Sequence, residues 1–203
     1  MLPLEAAWLL SVSKGVDSLG LVMDDDRRRG WAPELPLRTP RILLREHRMT
    51  DLEDLVLFHG DERTVRYLPW PVRSREDTRT ALLAKLSQHR APAEGDWLVL
   101  AIEEVASGRV IGEVDLRRGP TGHADLGYVV RRDREGLGLA SEAVREVLRL
   151  ATEDLGVTVV DAHIVPGNTA SERLVERHGF ARHTEGDVDD AETATRAWRR
   201  TGL

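Results

Sequence analysis

A glycine-rich loop between an apolar strand and an amphipathic helix constrains this chain more than any other feature. Ala124 to Val130 has the β-branched and aromatic content of a strand. From Gly138 to Ala151, residues Ala140, Ala143, Val144, Val147, Leu148 and Ala151 recur at the spacing of one helix face. Between them, Arg134-Glu135-Gly136-Leu137-Gly138-Leu139-Ala140-Ser141 sets small residues at 136, 138 and 140. Small side chains let an anion approach the main chain, where the free N–H groups and dipole of a first helical turn attract it. Arg131, Arg132 and Arg134 bring positive charge to the same edge. Local physics therefore predicts a phosphate or pyrophosphate site. The simpler reading is a turn whose glycines only supply positive φ.

The rest of the chain predicts an α+β fold. Trp97 to Glu103, Arg109 to Leu116 and Ala124 to Val130 are strands joined by turns at Ser107-Gly108 and Pro120-Thr121-Gly122. Connections this short require antiparallel pairing. Ile42 to Arg45 is a further strand, and Thr50 with Glu53 matches a capping box for a helix ending at Gly60. Prolines 69 and 71 forbid regular structure around Tyr67 and Trp70, and Ser74 with Asp77 starts another helix. Val157 to Val165 is a nearly continuous apolar strand of the kind buried on both faces. Asn168 to His178 is a helix stopped by Gly179, with closing strands at Phe180 to Thr184 and Thr193 to Arg200. The expectation is one domain, residues 37–203, built on a central mixed, mostly antiparallel twisted sheet with helices on both faces. Residues 1–36 are expected to be a poorly ordered extension, in which Met23 resembles a start site.

Composition narrows the chemistry. The formal net charge of −6 does not suit a nucleic-acid-binding domain. With no cysteine, disulfides, thiolate metal sites and a thiol nucleophile are excluded. The seven histidines show no HxxxH spacing, so no metal is expected. No apolar run approaches the roughly 20 residues of a membrane span, and no secretory signal is evident, so a cytoplasmic protein is expected. A dinucleotide-binding fold would use a similar loop, but Ser141 replaces its third glycine and five residues, Arg131 to Glu135, separate strand from first glycine. The preceding strands are also antiparallel.

Two segments together resemble the GNAT superfamily of acyl-CoA-dependent N-acetyltransferases. One is Asp125-Leu126-Gly127-Tyr128-Val129-Val130 with the loop through Ser141-Glu142-Ala143; the other is Asn168-Thr169-Ala170-Ser171, continuing to Glu176-Arg177-His178-Gly179-Phe180. Details of both look most like the branch that acetylates N-terminal amines of ribosomal proteins. The resemblance implies a GNAT-like fold with acetyl-CoA as cosubstrate. It places the family's loop pattern on Glu135, Gly138 and Ala140, where the acid at 135 departs from the usual neutral or basic residue. Main-chain N–H groups from Leu137 to Ser141, including Leu139, would hold the pyrophosphate, with Gly136 and Arg134 beside them. Asn168 would contact the pantetheine arm. Tyr128, Val129 and Val130 would border the thioester, a backbone N–H near Tyr128 or Val129 polarising its carbonyl where the strand splays from its neighbour. The tyrosine that commonly protonates the thiolate is replaced by Val175, and the resembled branch points to Ser171 instead.

Acyl transfer also needs the amine to lose a proton. A lysine-like amine has a pKa of about 10.4, whereas an α-amine, at about 7.7–8.0, suits a weakly basic carboxylate acting through water. Glu113 and Asp125 are the candidate bases, with Asp115 less favoured; strict alternation sets Glu113 and Asp115 on one strand face. Tyr67 and Trp70 in the irregular loop, with Glu113, are the candidate acceptor-side residues. The expected partners are acetyl-CoA and a primary amine, either a protein N-terminus or a small molecule, with no nucleic acid or membrane, in a monomer or homodimer. Two functions stay open: an N-acetyltransferase that transfers the acetyl group directly, and a catalytically weak acyl-CoA sensor.

Overall fold

Short turns and alternating apolar residues build the middle of the sheet, and every other element is arranged around it. The structure, a computed structural model, describes residues 30–189 and 194–202. In chain order the elements are β1 (Leu37–Arg38), β2 (Ile42–Arg45), α1 (Leu52–His59), α2 (Glu62–Val65), α3 (Arg75–Lys85), β3 (Trp97–Glu104), β4 (Arg109–Arg118), β5 (His123–Val130), α4 (Leu139–Glu153), β6 (Val159–Ile164), α5 (Thr169–Arg177), β7 (Ala181–Arg182) and β8 (Arg196–Thr201). They form one eight-stranded sheet in the order β1-β2-β3-β4-β5-β6-β8-β7. All neighbours are antiparallel except β5 and β6. This is the expected α+β fold with a mixed, mostly antiparallel sheet.

Alternation along the strands divides the interior into two layers. Leu98, Leu100 and Ile102 of β3, with Leu126 and Val130 of β5, pack against Ala143, Val144, Val147 and Leu148 of α4 and Leu174 and Val175 of α5. The opposite face meets α1 and α3, where Leu55, Phe58 and Leu82 pack on Ala101, Val110 and the partly buried Val129. Helices thus cover both faces. Ile111 is an extra residue in β4: Ile102 pairs with Gly112 and Glu103 with Val110. This bulge reverses the alternation, which is why Val110 faces α1 while Val114 and Leu116 face α4. Gly112 follows the bulge at a point where any Cβ would collide with the Val129 carbonyl.

The parallel pair is short. β5 and β6 pair only at His123–Val159, Ala124–Val160 and Asp125–Asp161, although β5 runs on to Val130 and β6 to Ile164. Beyond Asp125 the two central strands diverge, and the sheet opens.

Some local expectations are corrected. The Thr50–Glu53 capping box does not form; a 3-10 turn over Met49–Asp51 precedes α1, and the Asp51 carboxylate accepts the Arg48 N–H at 2.7 Å. The same carboxylate is gripped by buried Arg45, a long-range claim that overrides the local capping preference. The Ser74–Asp77 box forms as expected. Trp31, assigned from sequence to the extension, is 6% exposed and exchanges backbone hydrogen bonds with Ala91. Residues 1–29 lie outside the described residues, as does Thr193 of the second closing strand.

Candidate active site

The loop before α4 has the geometry of an anion cradle. Gly136 and Gly138 have φ of 72° and 76°, a region open to glycine at no steric cost. Gly138 is the N-cap of α4, so the N–H groups of Leu139, Ala140 and Ser141 begin the helix without backbone partners in the preceding turn. The loop is held from behind by Arg41, a residue the sequence did not single out. Its guanidinium donates to the carbonyls of Leu137 at 2.8 Å and Gly138 at 3.3 Å, and to Glu142 at 2.6 Å. Glu142 is buried and also accepts from Thr39 Oγ and the Arg41 N–H. Carbonyls tied backward leave the N–H groups facing outward. Arg134 is committed to Glu104 and Asp133, so it supplies less free charge than expected.

The open wedge between β5 and β6 leads from this cradle into the sheet. Arg131 N–H donates to Ile111 O, which makes 113–129 and 115–127 the hydrogen-bonded pairs of the β4–β5 ladder. The Val129 backbone therefore faces β4, and the N–H groups of Tyr128 and Val130 face the side that β6 has vacated. Of the two donors expected from sequence, Tyr128 has the free one. The Tyr128 hydroxyl donates to Ser171 O at 3.2 Å, and burial pushes its pKa up to about 12, so the ring is a neutral prop between β5 and α5.

The first turn of α5 borders the same wedge. Asn168 Oδ1 accepts the Ser171 N–H at 3.2 Å as a helix cap. Among the described residues its amide nitrogen has no partner, and the Ser171 hydroxyl is not bonded back to its own helix. Val175, at the position of the missing tyrosine, is fully buried in the core. Tyr67 reaches across to donate to Gly167 O at 3.3 Å, so the proline-interrupted loop meets the start of α5.

The carboxylates of the face beneath α1 and α3 have unequal surroundings. Glu113 is 2% exposed and lies 2.5 Å from Lys85 Nζ, 3.3 Å from His47 Nε2 and 3.5 Å from His59 Nε2. Burial opposes its ionisation, but Lys85, His59 and His47 outweigh burial and hold its pKa well below the ordinary value. Burial also pushes His47 down to about 4 and lowers His59, leaving both rings neutral near pH 7. Trp70 packs on this cluster, 6.1 Å from the His59 ring and 5.9 Å from Lys85 Nζ. Among the described residues Asp115 has no such cation in contact. It faces Gly127, where an added Cβ would strike its carboxylate, and burial followed by the Glu113 charge raises its pKa to about 7. Asp125 lies where the strands part, 3.8 Å from Arg117 and 3.9 Å from His163.

His123, Asp125 and Asp161 bring one possible ligand atom each within 4.8 Å of one another. Asp161 is already bound through both oxygens by Arg199, at 2.7 and 2.6 Å. The sequence missed Arg41, Lys85, His47 and His59, because each acts through a partner distant in the chain. The cations around Glu113 are not adjacent to it in sequence, so the difference between its surroundings and those of Asp115 was not visible there.

The parting parallel pair and the glycine cradle at a helix N-terminus fit the class that the sequence resembles, the acyl-CoA-dependent transferases. The family model described as "Acetyltransferase (GNAT) domain" matches residues 41–181, and the chain belongs to that family. It is 26% identical over 161 residues to the uncharacterized N-acetyltransferase p20 of Bacillus licheniformis, covering 78% of this chain and 88% of that one. Its fold is similar to that of a GNAT-family acetyltransferase from Bacillus anthracis, with a TM-score of 0.69 at 19% identity over 81% of this chain and 96% of the other. It is likewise similar to RimL, a ribosomal L7/L12 α-N-protein acetyltransferase solved with coenzyme A, with a TM-score of 0.70 at 18% identity over 83% and 98%. The protein is an acetyl-CoA-dependent N-acetyltransferase. No helix among the described residues is long and apolar enough to cross a membrane.

Proposed function

We propose that this enzyme moves the acetyl group of acetyl-CoA directly to a primary amine, a protein N-terminal α-amine or a small-molecule amine, that approaches over Asp115. The observation carrying this reading is the Asp115 carboxyl, raised to about 7 beside Gly127 and one residue from the free Tyr128 N–H. A base of that strength matches an α-amine of about 7.7–8.0 far better than a lysine-like amine. Loop N–H groups from Leu137 to Ser141 would hold the pyrophosphate and Asn168 the pantetheine arm. The Tyr128 N–H would polarise the thioester carbonyl.

Asp115, through water, takes one proton from the ammonium. The amine nitrogen bonds to the carbonyl carbon, the carbon–sulfur bond breaks, and the second amine proton passes through the Ser171 hydroxyl to the thiolate. Alignment supplies most of the acceleration, without a covalent enzyme intermediate. Asp125, the alternative base, is offset by Arg117 and His163, and Glu113 is neutralised by Lys85. Tyr67 and Trp70 would wall the acceptor side.

The test is thiol release from acetyl-CoA against N-terminal peptides, internal-lysine peptides and small amines, with the acetylated product identified by mass. Acceptor-dependent release strongest for α-amines is expected. Release only with lysine side chains would refute the Asp115 assignment, and CoA binding without turnover on any acceptor would give the sensor reading.

A further inference from the structure

The acceptor side of the wedge is basic in a chain that is acidic overall. The formal net charge is −6, yet residues 63–75 hold four arginines and no acid. The acids at the borders of this stretch are used elsewhere. Asp61 accepts from the Thr64 N–H and hydroxyl, Asp77 belongs to the Ser74 cap, and Glu76 lies 3.7 Å from Arg79. Of the four arginines, Arg75 pairs with Glu53 at 2.6 Å. Among the described residues Arg63 and Arg66 meet no carboxylate, and Glu62, one turn before Arg66, meets no cation.

The basic segment is fixed at both margins of the opening. Asp61 lines a cavity with Arg131, Arg132 and Asp133, just past the end of β5, and the Tyr67 hydroxyl donates to Gly167 O, just past the end of β6. Residues 61–67 therefore bridge the mouth of the wedge. Arg66 sits on this bridge, its guanidinium carbon 5.1 Å from the Tyr67 ring centroid. Arg73 leads the loop back toward the sheet. Its N–H donates to His59 O at 3.0 Å, and its guanidinium carbon is 4.9 Å from the Trp70 ring centroid. The Trp70 ring adjoins Lys85, whose Nζ holds Glu113 on the strand face that also carries Asp115. Each aromatic residue of the acceptor wall thus carries a guanidinium on its face. A ring face holds a guanidinium without using its N–H donors, which for Arg66 leaves the fork open to a planar carboxylate. Arg73 adds positive charge at the Trp70 end of the wall.

We propose that Arg66 and Arg73 select an acceptor whose amine is accompanied by a carboxylate, the amine lying over Asp115 and the carboxylate on the arginine wall. This rests on the reading of the site as an amine acetyltransferase with Asp115 beneath the amine. Floor and wall then carry opposite charge, which orients a zwitterion and turns away a polycationic amine. An acid at the second or third position of an extended peptide stays within about 10 Å of the terminal amine. A free amino acid shares this chemistry, and the experiment separates the two sources.

Thiol release from acetyl-CoA is measured on C-terminally amidated peptides with one shared first residue and aspartate, asparagine or arginine at positions two and three. Free amino acids are compared with their amides, and N-terminally blocked peptides carry one internal lysine in the same three contexts. Calorimetric binding to the CoA-bound enzyme gives the same ratios without turnover. An aspartate-over-asparagine preference of about fivefold or more, chiefly in KM, is expected, since one exposed ion pair supplies up to about fivefold. Arg66→Gln/Arg73→Gln brings the ratio toward one. Arg66→Glu turns the preference toward the arginine-bearing peptide, a change that loss of folding does not produce. A variant-sensitive preference confined to free amino acids over their amides upholds the proposal and assigns a small acceptor. Ratios near one in every wild-type pair, in turnover and in binding, or ratios that the variants leave unchanged, overturn it. Turnover of internal lysines alone removes Asp115 as base, while the ratio on those peptides still decides whether the arginine wall selects an acid.

Discussion

Replacing Glu113 by Gln separates a structural carboxylate from a catalytic one. The substitution keeps the shape of the side chain but removes its charge from a site where Lys85 Nζ is 2.5 Å away and two neutral histidines fill the remaining space. Lys85 is 12% exposed at its side chain, so little solvent replaces the lost counter-charge. Removing one partner of a buried ion pair costs about 3–5 kcal/mol, and the slight exposure of Lys85 favours the lower end. For a domain of this size each kcal/mol lowers Tm by about 2–4 °C, so a loss of roughly 6–12 °C is expected. The double variant Glu113→Gln/Lys85→Met removes both charges and should recover more than half of that loss. Denaturant unfolding and thiol-release kinetics on the same preparations read both properties. Glu113→Gln should retain kcat within about tenfold where it is folded, since loss of a general base costs about 10²–10⁴. Unchanged stability together with a kcat loss of two or more orders would refute this assignment and restore Glu113 as the base.

Three further outcomes are expected. Asp115→Asn should lower kcat by about 10²–10⁴ and remove the rise in kcat centred near pH 7. Because folding raises this carboxyl, its ionisation costs stability as pH rises through 7, so the Asn variant should also be the more stable at pH 8; an unchanged pH profile would exclude Asp115. Gly138→Ala meets no steric obstacle nearer than the Arg41 guanidinium at 3.5 Å, so its cost is the left-handed φ alone, about 1–2 kcal/mol. That cost should appear as an equal loss of unfolding free energy, or as CoA binding weakened by up to about 30-fold where the free loop relaxes, and the absence of both changes would mean the cradle does not depend on this conformation. His47 is neutral in the fold, with its pKa lowered from 6.5 to about 4, so its contribution is complete above pH 6.5 and is lost as pH falls toward 4. The His47 contribution to unfolding free energy should drop by about 2 kcal/mol between pH 6.5 and 5, read as the difference between the parent and His47→Gln because Asp115 titrates with the opposite sign over the same range.

What was legible in the sequence was local. The loop at 134–141 is a string of small residues followed by a helical period, and both signals lie within a few residues of the structure they create. The meander follows from turns too short for any other pairing. Alternation put Glu113 and Asp115 on one face, which the layering supports. Their difference was not legible, because Lys85 arrives from α3, 28 residues earlier. The Arg41–Glu142 clamp spans 101 residues, and nothing near either residue announces the other. The Thr50 cap failed for the same reason: Asp51 had a stronger partner in Arg45. The divergence of β5 from β6 has no signature in either strand, since each alone reads as ordinary buried β-structure.

That divergence gives the sheet a third margin, an inward one. Outer edge strands are templates on which foreign chains can pair, and proteins blunt them with charge or cover. The margin at Tyr128 and Val130 lies between two strands rooted at Asp125 and Asp161, so the opening narrows to nothing at its base. A flat strand with side chains on both faces would have to force those walls apart. On the proposed reading, a slender chain carrying its own amides would thread in and complete the hydrogen bonding, and width would select the guest before any side chain took part.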